Sequence, residues 1–168
     1  MGPVEVVVAR PAWRSMAPRC KRLLGRLLRA TGRTGSGVTL LLAPDGEVRR
    51  LNRIFRGKDR TTDVLSFPAG GELEPGRLHL GDLAVSVPQA RRQARRAGWS
   101  LQEEVSLLVT HGFLHLLGYD HEVDDGEMRR LEEGLLARVA RVSLNRRRLP
   151  WRDERSAHAE DMPRGRTR

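Results

Sequence analysis

Three histidines stand within the eleven-residue stretch HGFLHLLGYDH, from His111 to His121. His111 and His115 are four residues apart, so on a helix their imidazoles share one face, one turn apart. Gly118 is a natural helix stop, after which the chain can turn and bring His121 back to the same point. Three imidazoles around a small ion leave a fourth tetrahedral position open, the pattern of a catalytic rather than a structural zinc site. The alternative is three independent histidines that pack or cap; the spacing around the glycine favours metal binding. Imidazole-only ligation suits one Zn2+ ion and also nickel or copper.

The spacing H-x-x-x-H-x-x-G-x-x-H is shared with zinc peptidases of the metzincin type. Those enzymes place a Glu general base directly after the first histidine. Here that position is Gly112, which has no side chain to activate water. Met128 follows too closely to form the methionine turn of such peptidases.

Positioning these residues requires a helix that ends near Gly118. Ser100 and Glu103 form a capping-box pattern that starts it near Leu101. Its residues are apolar nearly all round, from Val105 to Leu117, so it should be buried on several sides. Before it, 4–10, 37–44, 63–71 and 77–86 read as strands, the third stopping at Pro68–Gly71. Residues 12–31 form a basic amphipathic helix with Leu23, Leu24, Leu27 and Leu28 inward and a kink or later start at Pro18. A short helix over 47–55 should place Val48, Leu51, Ile54 and Phe55 on one side. Another opens at Pro88 and carries Arg91, Arg92, Arg95 and Arg96. A last helix spans about 124–142, with Met128, Leu131, Leu135, Val139 and Val142 facing inward. Strands mixed with helices, then three helices in a row, indicate an α+β fold. Residues 149–168 are polar and charged without apolar periodicity, and are expected to form a disordered tail after a single domain over 1–148.

The 168-residue chain carries a net charge of +10, nearly all of its basic residues being arginine. Arginine forks match phosphate oxygens, so a polyanion such as RNA is a candidate partner, against the plainer reading of a solvated surface. Aromatic residues make up only 4% of the chain, too few for a multi-base stacking platform. No run of about eighteen apolar residues suggests a membrane span. No signal-peptide pattern is read at the N-terminus. The single cysteine, Cys20, excludes an internal disulfide and makes the cytoplasm the simplest compartment.

HGFLHLLGYDH resembles the signature of the YbeY family of bacterial endoribonucleases. LNRIFRGKDRTTDVLSFP (51–68) and LGDLAVS (80–86) are similar to two further blocks of that family, in the same order and spacing. Phe55 stands where Tyr is usual and Thr61 where Pro is common. The likeness covers roughly residues 35 to 135. It implies a small α+β domain with a four-stranded mixed sheet, about five helices, and a central helix carrying the metal ligands. It implies a metal-dependent endoribonuclease of single-stranded RNA, acting in ribosomal RNA processing, in 3′-end maturation of 16S rRNA on the small subunit, and in ribosome quality control. By position the ligands are His111, His115 and His121, and Arg56 is the arginine that faces the substrate phosphate. A guanidinium can hold two phosphate oxygens at once. Asp59 and Asp63 are expected to brace turns. Asp120 either orients an imidazole or stabilises the turn after the helix. Glu104 lies on the histidine face of the helix without an assigned role.

Two other readings stay open. One is a metallohydrolase of another class, including a peptidase; the other is a ribosome-associated RNA-binding protein whose metal is structural.

Overall fold

The computed structural model describes residues 4–74 and 77–142. The elements are β1 (Val4–Val8), a 3-10 turn (Pro11–Met16), α1 (Ala17–Ala30), β2 (Gly37–Ala43), α2 (Asp45–Arg56), β3 (Val64–Glu74) and β4 (Arg77–Ser86). Then follow α3 (Val87–Ala97), α4 (Leu101–Leu116), α5 (Glu127–Leu135) and a π-helical turn (Leu136–Ala140). The tail expected at 149–168 lies outside the described residues.

The sheet has the order β1-β2-β4-β3. β1 and β4 both run parallel to β2, and β3 runs antiparallel to β4, so the sheet is mixed. Side chains alternate across it as strand geometry requires. Val38, Leu40 and Leu42 of β2, with Leu83 and Val85 of β4, pack with leucines of α1 and with Val105, Leu108, Val109 and Phe113 of α4. Ala43, Leu65 and Ala84 turn the other way, into a smaller cluster with Val48 of α2. The fold is thus the expected α+β arrangement, with α4 as its central helix. Nearly every α4 residue from Glu104 to Leu116 is buried, because α1, α3, α5 and the sheet all press on it.

Several local expectations give way. The third strand continues past Pro68 to Glu74. Between Pro68 and Gly71 it sets one more residue against β4 than β4 supplies, so the Pro-Ala-Gly segment becomes a bulge instead of an end. Gly81 opposite it has φ +142, and a Cβ there would lie 2.2 Å from the Phe67 carbonyl oxygen. The basic helix starts at Ala17, with Pro18 in its first turn, where no backbone donor is lost. The last helix begins at Glu127, because the Asp124 carboxylate accepts from the Gly126 and Met128 backbone N–H groups and holds a turn ahead of it.

The largest difference is in α2. Val48 and Asn52 are buried, while Ile54 and Phe55 are 56% and 65% exposed. Asn52 takes the inward position because its amide donates to the Arg60 carbonyl at 2.8 Å, which satisfies a buried polar side chain.

Candidate metal centre and its cleft

The capping box of α4 forms as expected: the Ser100 hydroxyl accepts from the Glu103 N–H, and the Glu103 carboxylate accepts from the Ser100 N–H. At the other end the Gly118 N–H donates to the His115 carbonyl and the Tyr119 N–H to the Leu114 carbonyl. This is the paired closure of a Schellman motif, and it needs a left-handed residue; Gly118 supplies it with φ +91. The reversal brings His121 back over the helix end.

His111, His115 and His121 each offer a nitrogen, and these lie within 4.8 Å of one another. His111 Nε2 and His115 Nε2 are 3.1 Å apart. Two nitrogens bound to one tetrahedral zinc at ~2.1 Å would be separated by roughly 3.4 Å. The Nδ1 of His121 is buried without a hydrogen-bond partner. Burial, with His111 and His121 close by, holds His115 down to about 4, so its imidazole is neutral at physiological pH. A neutral imidazole is the form that binds a metal. Donor set, spacing and protonation all fit a divalent ion with an affinity for nitrogen.

One member of this site was absent from the sequence reading. Glu132 of α5, 1% exposed, accepts from His111 Nδ1 at 2.9 Å. With the proton on Nδ1, the lone pair of Nε2 is left facing His115 and the shared point. The signal was present: Glu132 lies between Met128 and Leu135 on the apolar stripe of its helix, where a carboxylate needs a partner.

The histidines form one wall of a cleft of about 540 Å³. Arg56, Lys58 and Arg60 line it from α2 and the loop that follows. That loop is fastened by several bonds. Gly57 closes α2 with φ +67, Asn52 holds the Arg60 carbonyl, and the Thr61 hydroxyl donates to the Asp45 carbonyl at 2.8 Å. Asp59 receives a two-pronged contact from Arg49, at 2.9 and 3.2 Å. Asp63 accepts from the Val64 N–H and from Gln93. Both aspartates brace turns, as expected from the sequence. Asp120 also lines the cleft, but its carboxylate accepts from the Glu122 N–H and its carbonyl from Val123 and Asp124. These contacts stabilise the turn after the helix.

Gly112 faces the sheet. A Cβ there would lie 2.9 Å from Leu83 Cδ2, 3.0 Å from Ser66 Oγ and 3.1 Å from Val64 Cγ2. The Ser66 hydroxyl donates to the Gly112 carbonyl across this contact, at 3.0 Å. The position where a zinc peptidase keeps its glutamate thus has no room for a side chain. Glu104 is likewise remote from the chemistry: it is fully buried, lines no part of the cleft, and neither carboxylate oxygen has a hydrogen-bond partner.

The sequence model of the endoribonuclease YbeY family matches residues 11–140. The chain belongs to the YbeY endoribonuclease family. The endoribonuclease YbeY of Solibacter usitatus is 49% identical over 122 residues, 73% of this chain and 78% of that protein. The YbeY of Thermus thermophilus is 44% identical over 140 residues, 80% of this chain and 99% of its own. The solution structure of TM1509 from Thermotoga maritima superposes with a TM-score of 0.59 at 27% identity, covering 98% of this chain and 99% of that one. Membership in the YbeY family accounts for the shared order of the three sequence blocks. Two of those blocks supply opposite walls of the cleft, and the third, in β4, supports the strand between them.

Proposed function

We propose that this chain is a metal-dependent endoribonuclease of single-stranded RNA. In this reading it acts in the cytoplasm on ribosomal RNA of the small subunit, in 3′-end maturation of 16S rRNA and in ribosome quality control, and residues 1–148 are its working domain. The observation that carries the reading is the convergence of three histidine nitrogens on one wall of a cleft whose opposite wall presents Arg56, Lys58 and Arg60. The activity named for its YbeY relatives agrees with this chemistry. Among the described residues, no helix is long and apolar enough to cross a membrane.

His111, His115 and His121 would hold the ion, with zinc the metal best suited to three imidazoles. When bound, it supplies Lewis acidity at a phosphoryl oxygen and makes a water more acidic. Glu132 keeps His111 in the tautomer that ligates. Arg56 is exposed at the cleft and is free to pair two oxygens of the scissile phosphate. There it stabilises the negative charge that grows on phosphorus oxygens in the transition state. Lys58 and Arg60 stand beside it for neighbouring phosphates.

The test is metal content of the purified protein beside cleavage of a single-stranded RNA, the same RNA in a duplex, and casein, each with and without chelator. The expected outcome is a bound transition metal, cleavage of the single strand, and loss of cleavage on chelation. Cleavage of casein would return the peptidase reading, and RNA binding without cleavage would return the structural-metal reading.

A further inference from the structure

Phe55 is the one exposed aromatic ring among the described residues. A phenyl ring left 65% exposed forgoes the burial that would normally stabilise it. The residue follows Asn52 by three positions and immediately precedes Arg56, and both of those line the cleft. On a helix, Asn52 and Arg56 share a face, and Phe55 stands about 100° around from Arg56 on the same last turn. Its ring meets Phe67 edge to face, with centroids 5.2 Å apart and an interplanar angle of 60°. Phe67 lies on β3, an edge strand, packed beside Leu65, and its neighbour Ser66 points to the opposite face and lines the cleft. The two phenyl rings therefore meet on the α2 face of the sheet, each next along the chain to a cleft-lining residue, Arg56 and Ser66.

We propose that Phe55 is the stacking platform for one unpaired nucleobase of the RNA strand whose phosphate lies at Arg56. This rests on the RNA-cleaving reading above. A cationic groove beside an aromatic ring is the combination that binds single-stranded nucleic acid, phosphates to the groove and base to the ring. Arg56, Lys58 and Arg60 give the groove its charge, and Phe55 gives it a ring whose orientation Phe67 already fixes. A pre-set ring loses little freedom on binding. The fastened turn at Gly57, Asn52 and Thr61 keeps ring and guanidinium in fixed relation. A paired base in a duplex has no free face to offer, so the same ring would also favour single strands. The aromatic scarcity of the chain fits one stacked base and not a row of them.

The experiment compares wild type, Phe55→Ala, Phe55→Tyr and Phe55→Leu, each loaded with metal. Affinity and cleavage rate are measured on a single-stranded RNA and on a set of the same RNA with one abasic nucleotide at successive positions. Phe55→Ala should weaken binding of the intact RNA by roughly five- to a hundredfold, the usual worth of one base–aromatic stack. Phe55→Tyr should bind like wild type, and Phe55→Leu should not be restored by its apolar bulk. Metal content and melting temperature should not move. At one abasic position the Ala substitution should have no further effect, because the stack is already gone. Three outcomes would overturn the proposal while leaving the nuclease reading intact: unchanged affinity in Phe55→Ala, full recovery in Phe55→Leu, or equal Ala penalties at every abasic position. The last two would point to a plain apolar contact or to a structural role. A wild type that neither binds nor cleaves any of these RNAs removes the nuclease reading and the platform together.

Discussion

The two walls of the cleft are built on different principles. On the histidine side, His111 is 7% exposed and its supporting Glu132 is 1% exposed, both held by helices that press on the core. On the arginine side, Arg56, Lys58 and Arg60 are all exposed, and the turn that carries them is held by a handful of side chain to backbone bonds. The first wall must fix nitrogens to within a few tenths of an ångström of one another, which takes packing. In the proposed function the second meets a flexible polyanion, and a charged group there would keep its hydration until the phosphate arrives. On this reading, ligation geometry is tied to the stability of the domain, and phosphate binding is largely free of it.

That division can be broken most sharply at His111. His111→Ala should lose metal and RNA cleavage together. It should also lower the melting temperature, because the buried Glu132 carboxylate would lose its contact with His111, at a cost of about 1–3 kcal/mol. Metal analysis, cleavage and a thermal scan on one preparation check all three. A variant that keeps its metal would show that the three nitrogens do not act as a set. Arg56→Ala should behave in the opposite manner, with cleavage down roughly a hundred- to a thousandfold and metal content and melting temperature near wild type. Arg56→Lys should recover only part of the rate, since an ammonium cannot make the paired contact. If activity in Arg56→Ala merely tracked the folded fraction, the residue would be a brace and the contrast between the walls would collapse.

Glu132→Ala tests the packed wall without touching a ligand. The expected result is metal affinity roughly ten- to a hundredfold weaker, read by competition with a coloured chelator. An unchanged affinity would mean that α4 alone orients His111. The smallest effect on activity is expected at Glu104, whose carboxyl is pushed up to about 7 by burial and, secondarily, by the nearby charge of Asp63. Between about pH 4.5 and 7 the unfolded chain has released a proton that the native state still holds, so this group makes stability fall as pH rises through that window. His115 works in the other direction in the metal-free protein. Its native value near 4 lies below the ordinary 6.5, so stability is lost as pH falls through that interval. Glu104→Gln should therefore leave stability at pH 4 unchanged and raise it at pH 7.5, by as much as about 3 kcal/mol. Denaturant titrations of the metal-free protein at the two pH values decide it, and an identical pH profile in both proteins would clear Glu104 of the role.

Much of the site was legible because its information is local. A four-residue spacing on a helix, a capping box and a helix-ending glycine are short-range devices, and they set where His111, His115 and His121 lie along the chain. The likeness of three sequence blocks added Arg56 on the strength of its position. Expectations failed where the deciding contact came from far along the chain. The apolar pattern at 47–55 predicted Ile54 and Phe55 inward, but α2 has only one small cluster to cover, and Asn52 claims the inner face by reaching Arg60. The strand read as 63–71, stopping at Pro68–Gly71, continues to Glu74 because β4 pairs with it across a bulge, and a bulge is a property of two strands.

By itself, the sequence determined the candidate donor types, their helical spacing, the missing peptidase base and the cationic character of the chain. Those follow from side-chain chemistry and from the 3.6-residue turn, which the chain cannot escape. Tertiary structure alone decided that Glu132 would meet His111 across 21 residues, and that Gly112 would be pressed against Leu83, Ser66 and Val64. It also decided that Arg56 would line the same cleft as the histidines and that Phe55 would be left exposed. The reason is physical: which residues distant in sequence come into contact depends on how helices and sheet pack to bury their shared apolar faces, and that is a property of the whole domain.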